Sequence, residues 1–214
     1  MEIQTPVAEH EHRGFLMKEQ VALFGGSFNP PHIGHTLAIT YALSQHVDRV
    51  LVVPTFKHAL GKGLIPFEHR MEMAKLAFSW LNGNDLFLKV SVLDIEQKIG
   101  HSRTLDTINA LYKRFSSDIQ LRLLVGADIL DERDKWHNFN EIVKLAPPIY
   151  IGRNGYDHSD TRGSLNLPEV SSTYIRNQFD SKSKFRFANV PDIESTVHPK
   201  VRAYIYKHGL YEAS

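Results

Sequence analysis

The chain repeats one device: a short run of branched or aromatic apolar residues, followed by a longer stretch with helical periodicity. Val21 to Phe24 (VALF), Arg49 to Pro54 (RVLVVP), Leu86 to Val92 (LFLKVSV), Leu121 to Val125 (LRLLV) and Ile149 to Gly152 (IYIG) each have the length and composition of a buried strand. Between them, Met71, Ala74, Phe78 and Leu81 fall on one helical face. Leu105, Ile108, Leu111, Tyr112 and Phe115 do the same after Ser102 or Thr104, either of which can cap. Strands alternating with helical crossovers imply a mostly parallel, doubly wound α/β sheet with right-handed connections. Ligands bind such sheets beyond the carboxyl ends of the strands. Two further helices are expected over residues 173–179 and 199–207, and the Gly-, Ser- and Asp-rich stretch from Asn154 to Pro168 reads as a mobile loop.

Composition narrows the function classes. The 214 residues suit one domain, taken as 20–214 with a C-terminal helical part, after a polar, aperiodic extension over 1–19 that is expected to be flexible. Lys and Arg number 25 against 24 Asp and Glu, so the bulk field attracts neither nucleic acid nor an anionic membrane, and any anion must be bound locally. Without cysteine there is no disulfide, thiolate nucleophile or Cys-based zinc site. No apolar run reaches a membrane span and the N-terminus lacks a secretory pattern, so a cytoplasmic protein is expected.

The sharpest segment is GGSFNPPHIGH, Gly25 to His35, directly after the first strand. Gly25 and Gly26 permit close ligand approach, and Pro30 and Pro31 suit a rigid turn into a helix. That helix aims its free N–H groups at the turn, an anion site. His32 and His35 share a face of its first turn and can donate to phosphoryl oxygens in the transition state. A Gly-Pro turn with two adjacent His, or a pair of metal ligands, is the plainer alternative. The string is neither a Walker loop nor a G-x-G-x-x-G fingerprint. Further on, Ser171 and Ser172 can cap a helix that carries Arg176 about one turn in, within reach of an anion. Asp128, at the end of a strand, can accept from ribose hydroxyls, help orient Mg²⁺ or cap the next helix. Trp136, in the polar stretch DERDKWHNF, can stack on a ring or anchor its loop.

Taken together, GGSFNPPHIGH resembles the signature of the HxGH nucleotidyltransferase superfamily, in the fuller form of the nicotinate- or nicotinamide-mononucleotide adenylyltransferases. Lys62 to Phe78, TLDT (Thr104 to Thr107), GAD (Gly126 to Asp128), SSTYIR (Ser171 to Arg176) and VRAYIYKHGLY (Val201 to Tyr211) follow in that family's order. The resemblance implies a Rossmann-like sheet of five or six strands with helices on both faces. It implies transfer of AMP from ATP to a pyridine mononucleotide, with Mg²⁺ carried on the ATP phosphates and no covalent enzyme intermediate. It assigns His32, His35 and Arg176 to catalysis, and Gly25, Gly26, Ser27, Phe28, Gly126, Asp128, Ser171, Ser172 and Thr173 with those three to ATP. Ser27, Asn29, Thr104 and Trp136 fall to the mononucleotide.

One position departs from the pattern: bacterial nicotinate enzymes commonly carry an aromatic residue just before the Thr of TLDT, where this sequence has Arg103. An Arg there leaves the base-side contacts open and can favour an acidic group on the substrate; nicotinate mononucleotide is the expected acceptor, with nicotinamide mononucleotide or another phosphorylated acceptor as the alternative. A non-catalytic nucleotide sensor is the rival from another class. Lys57, Lys62 and Arg70 can add positive charge near the phosphates, with a solvated side chain the default for each; Trp80 is read as packing, and His10, His12, His69, His101, His137 and His198 as surface or satisfied groups. The expected partners are ATP and the mononucleotide, with a homo-oligomer left open.

Overall fold

A computed structural model describes residues 18–57, 63–83, 89–115, 118–153, 165–179 and 192–212. Residues 1–17 of the expected 1–19 extension, Lys62, Leu86 to Leu88 and most of the expected loop, 154–164, lie outside the described residues, whereas Glu19, expected in that extension, opens the first strand.

Six strands form one parallel sheet: β1 (Glu19–Gly26), β2 (Arg49–Pro54), β3 (Val90–Val92), β4 (Ile119–Gly126), β5 (Pro148–Arg153) and β6 (Asn166–Leu167), in the order β3-β2-β1-β4-β5-β6. The helices are α1 (Ile33–Leu43), α2 (Phe67–Phe78), α3 (Ile95–Ile99), α4 (Thr104–Phe115), α5 (Ile129–Glu132), α6 (Phe139–Leu145), α7 (Ser172–Phe179), α8 (Ile193–Thr196) and α9 (Pro199–Lys207). This is the expected Rossmann-like, doubly wound fold.

Alternation along the central strands sorts the core into two layers. Ala22, Val50, Val52 and Leu124 face α1, α2, α7 and α9, meeting Ile39, Met73, Ile175 and Val201. Val21, Leu23, Leu51, Val53 and Leu121 face α3, α4 and α6, meeting Ile95, Ile108, Leu111 and Ile142. Both faces of β1 and β2 are therefore buried, which is why those strands read as unbroken apolar runs.

Four expectations are corrected. The stretch expected as a loop up to Pro168 contains β6, which pairs with β5 through Gly152–Asn166 and Arg153–Leu167; two residues give no periodic signal. Trp80 does not pack: α2 ends at Phe78 and the chain continues as a 3-10 turn over Ser79–Asn82, leaving Trp80 54% exposed. Arg70 is not solvated but 1% exposed on the buried face of α2. Ser102 does not cap α4, because its hydroxyl accepts the N–H groups of Phe56 and Lys57 instead; α4 begins at Thr104.

Candidate active site

The reversal of strand order beside β1 opens a crevice at the carboxyl ends of β1 and β4, where a doubly wound sheet places its ligands. A cleft of about 640 Å³ occupies it. Of the residues expected from sequence, Gly25, Gly26, Ser27, Thr104, Asp128 and Trp136 line this cleft. A Cβ at Gly25 would meet nothing within 4 Å, so the bare backbone there leaves room for a ligand. Asp128 makes no side-chain cap to α5 and puts its carboxylate on the cleft wall. At Gly126 a Cβ would run into that carboxylate, so the glycine is what lets Asp128 sit there. Trp136 is half-buried, edge-on to Phe139 at 6.3 Å, and borders the cleft, so it both anchors its loop and offers ring surface.

The second group gathers on the turn from Ser27 to His35. Phe28 takes a left-handed φ of +46° and is 1% exposed, its ring packed edge-on against Phe24, Phe78 and His35. Its side chain is turned into the core, so any ATP contact at this position falls to its backbone. His32 precedes α1, and its imidazole lies 3.8 Å from that of His35, centroid to centroid. His35 Nδ1 accepts the His32 N–H at 3.1 Å. A neutral His35 that accepts there carries its proton on Nε2. A Cβ at Gly34, between them, would lie 3.1 Å from the His32 ring, a contact tight enough to press on that ring.

The start of α7 docks on the same turn. Ser171 Oγ accepts the Tyr174 N–H at 3.2 Å, which caps the helix. Ser172 Oγ donates to the Pro30 carbonyl at 2.8 Å, and Arg176 Nη1 donates to the Asn29 carbonyl at 2.8 Å. Arg176 Nη2 reaches Thr173 Oγ1 at 3.1 Å. Two of the five guanidinium N–H donors are so used, fixing the fork while others stay available to an anion. Asn29 is 3% exposed, and its Oδ1 accepts from Tyr211 Oη at 3.0 Å, so the C-terminal end of the chain also secures this turn. His32 and His35 thus stand together at the end of the turn and Arg176 is bonded to its Asn29 carbonyl; the three lie outside the lining of the cleft, into which Gly25 to Ser27 lead.

Residue by residue, four contributors escaped the sequence. Arg70, Glu96 and Ser102 hold the cleft wall through polar contacts that no periodicity signals. Tyr211 closed a recognised motif, yet only the fold reveals its partner. Of the remaining His, His69 Nδ1 pairs with Tyr204 Oη at 2.9 Å, His198 Nδ1 accepts the Lys200 N–H at 3.2 Å, and His137 borders the cleft. No group of three His, Asp or Glu suited to a metal comes together among the described residues. No helix among them is long and apolar enough to cross a membrane.

A cytidylyltransferase-like family model matches residues 23–178. The nicotinate-nucleotide adenylyltransferase of Bacillus subtilis (strain 168) is 34% identical over 203 residues, covering 91% of this chain and all of that protein. A probable nicotinate-nucleotide adenylyltransferase of Anaeromyxobacter sp. (strain K) is 39% identical over 194 residues, 90% of this chain and 96% of its own. The chain belongs to the nicotinate-nucleotide adenylyltransferase family. The fold persists at low identity. The Plasmodium falciparum nicotinic acid mononucleotide adenylyltransferase complexed with NaAD superposes with a TM-score of 0.69 at 20% identity, over 90% of this chain and 97% of that one.

Proposed function

We propose that this chain transfers AMP from ATP to nicotinate mononucleotide in NAD biosynthesis. An oxygen of the mononucleotide 5′-phosphate attacks the α-phosphorus of ATP; the bond to the β-phosphate oxygen breaks; nicotinate adenine dinucleotide and pyrophosphate leave. What supports the reading is that His32 and His35 stand together at the end of one turn, that Arg176 is bonded to the same turn at Asn29, and that its glycine end opens into the cleft. Such transfers depend on positioning and charge stabilisation, which those groups supply without a nucleophile.

The roles divide by place. His35 Nε2–H, His32, the opening turn of α1 and Arg176 stabilise negative charge on the triphosphate as the leaving pyrophosphate takes it up. Gly25, Gly26 and Ser27 let the phosphates lie against backbone. Ser171, Ser172 and Thr173 hold Arg176 in place. Gly126 and Asp128 face the adenosine part; Ser27, Asn29, Thr104 and Trp136 serve the mononucleotide, with the Trp136 ring against the pyridine. A divalent cation, Mg²⁺, arriving on the ATP phosphates would neutralise charge there. Arg103 also lines the cleft beside Thr104, and a guanidinium there favours a nicotinate carboxylate over a neutral amide. The cysteine-free chain suits the reducing cytoplasm.

Rates for nicotinate and nicotinamide mononucleotide, each with ATP and Mg²⁺ and followed by pyrophosphate release, test the assignment directly. Faster turnover of the nicotinate form is expected. Preference for the amide overturns the acceptor, and ATP binding without pyrophosphate release for either acceptor overturns the enzyme.

A further inference from the structure

The segment after β2, Thr55 to Lys57, lies between the phosphate turn and the start of α4, and it is gripped from both sides. Thr55 N–H donates to the Gly26 carbonyl at 2.9 Å. On the α2 side, Arg70 Nη1 donates to the carbonyls of Ser27 at 3.1 Å and Thr55 at 2.6 Å, with Nη2 on Phe56 O at 3.4 Å and Nε on Ile65 O at 3.1 Å. On the α4 side, Ser102 Oγ accepts the N–H of Phe56 at 2.9 Å and of Lys57 at 3.0 Å. A hydroxyl that accepts two N–H groups has its own proton left to give, and Glu96, which shares the Phe56 N–H with it, is the carboxylate beside it. Glu96 Oε2 also accepts the Phe56 N–H at 3.0 Å, and Oε1 the Thr107 hydroxyl at 3.3 Å.

Glu96 is 7% exposed. A buried carboxylate is a costly way to fill space, and a packed apolar side chain in its place would avoid the desolvation. What the carboxylate does that no apolar group can is bind three segments at once: residues 55–57, Ser102 and α4. Ser102 and Thr104 border the cleft at one end of this network and Ser27 at the other.

We propose that Glu96 is a positioning residue for the acceptor: through Ser102, and opposed by Arg70, it sets the Ser102–Thr104 seat of the mononucleotide relative to Ser27 and the phosphate turn. In-line attack needs the two nucleotides held at reacting distance, and small displacements between their seats cost rate. The proposal rests on the acceptor assignment above, and its test separates the two.

The variants are Glu96→Gln, which keeps one acceptor oxygen but turns a donor against donors, and Ser102→Ala, a milder change at a half-buried side chain that carries the test should the first not fold. Steady-state assays with ATP, Mg²⁺ and nicotinate mononucleotide should show the acceptor KM raised at least about fivefold in each, with the ATP KM changed by less than about twofold. The double variant should be little worse than the single ones, since both break one network. Hydrogen exchange without substrate should accelerate at the Phe56 and Lys57 amides while β1 stays protected. Exchange unchanged at those amides overturns the network itself, whatever the enzyme's acceptor. Accelerated exchange with an unmoved acceptor KM, or equal rises in both KM values, overturns the positioning role. A wild type that adenylylates a different acceptor overturns the preceding reading alone, because the exchange measurement uses no nucleotide.

Discussion

Replacing Tyr211 by Phe removes one oxygen from the far end of the chain and should be felt at the phosphate turn. The phenol donates to Asn29 Oδ1 at 3.0 Å, and Asn29 is 3% exposed, so little water can take the donor's place. The Asn29 carbonyl in turn holds Arg176 at 2.8 Å. Phe keeps the ring beside Phe179, whose centroid lies 6.2 Å away, so the loss is confined to the hydrogen bond. Leaving a buried carbonyl oxygen without its donor costs about 1–3 kcal/mol. For a chain of this size each kcal/mol moves Tm by about 2–4 °C, so a drop of about 2–12 °C is expected by scanning calorimetry. Turnover should fall a few-fold as the turn that carries Arg176 loosens. Burial also holds the Tyr211 hydroxyl above its usual range, so it stays protonated and the difference between the two proteins should be flat from about pH 6 to about pH 9. An unchanged Tm together with unchanged turnover would refute the chain of contacts from Tyr211 through Asn29 to Arg176.

Three other substitutions probe the remaining parts. His35→Ala should lower kcat by roughly a hundredfold or more, as loss of a transition-state contact does, with the fold kept by circular dichroism; near-normal turnover removes the residue from catalysis. Trp136→Ala should raise the KM for the mononucleotide more than that for ATP, and the reverse ordering would move the indole to the adenosine side. At Glu96, burial raises the carboxyl above the ordinary range, against hydrogen bonds from Ser102, Phe56 and Thr107. The native state therefore keeps a proton that the unfolded chain has released, and stability falls as pH rises from the unfolded value, about 4.3, through the raised one. Denaturant unfolding at about pH 4 and about pH 7 should show the balance shifting toward Glu96→Gln at the higher pH; a constant difference contradicts the raised value.

The strands and the phosphate turn were legible because their causes are local. Parallel strands covered on both faces must be continuous apolar runs, and Val21 to Phe24 or Arg49 to Pro54 admit no other comfortable state. A turn of two Gly, two Pro and a helix start is specified by its own backbone chemistry. The amphipathic stripe on α4 fell where expected, whereas that on α2 rotated toward Met73 and Ala77, with Arg70 on the buried side. Charge is a surface signal in any sequence, so a guanidinium buried to hold four carbonyls and a carboxylate buried to hold three donors both escape it.

By itself, then, the order of residues determined a layered parallel sheet and marked Gly25 to His35 as its anion-binding turn. The motif order had already put Arg176 with that turn, but the tertiary structure decided what holds it there and which other distant groups stand beside it. Arg176 and Tyr211 reach it from 147 and 182 residues along the chain from Asn29, and β6 exists only as an edge paired to β5. Such contacts join segments with no shared periodicity, and each depends on where the packed layers bring the backbone rather than on any preference of the residues nearby.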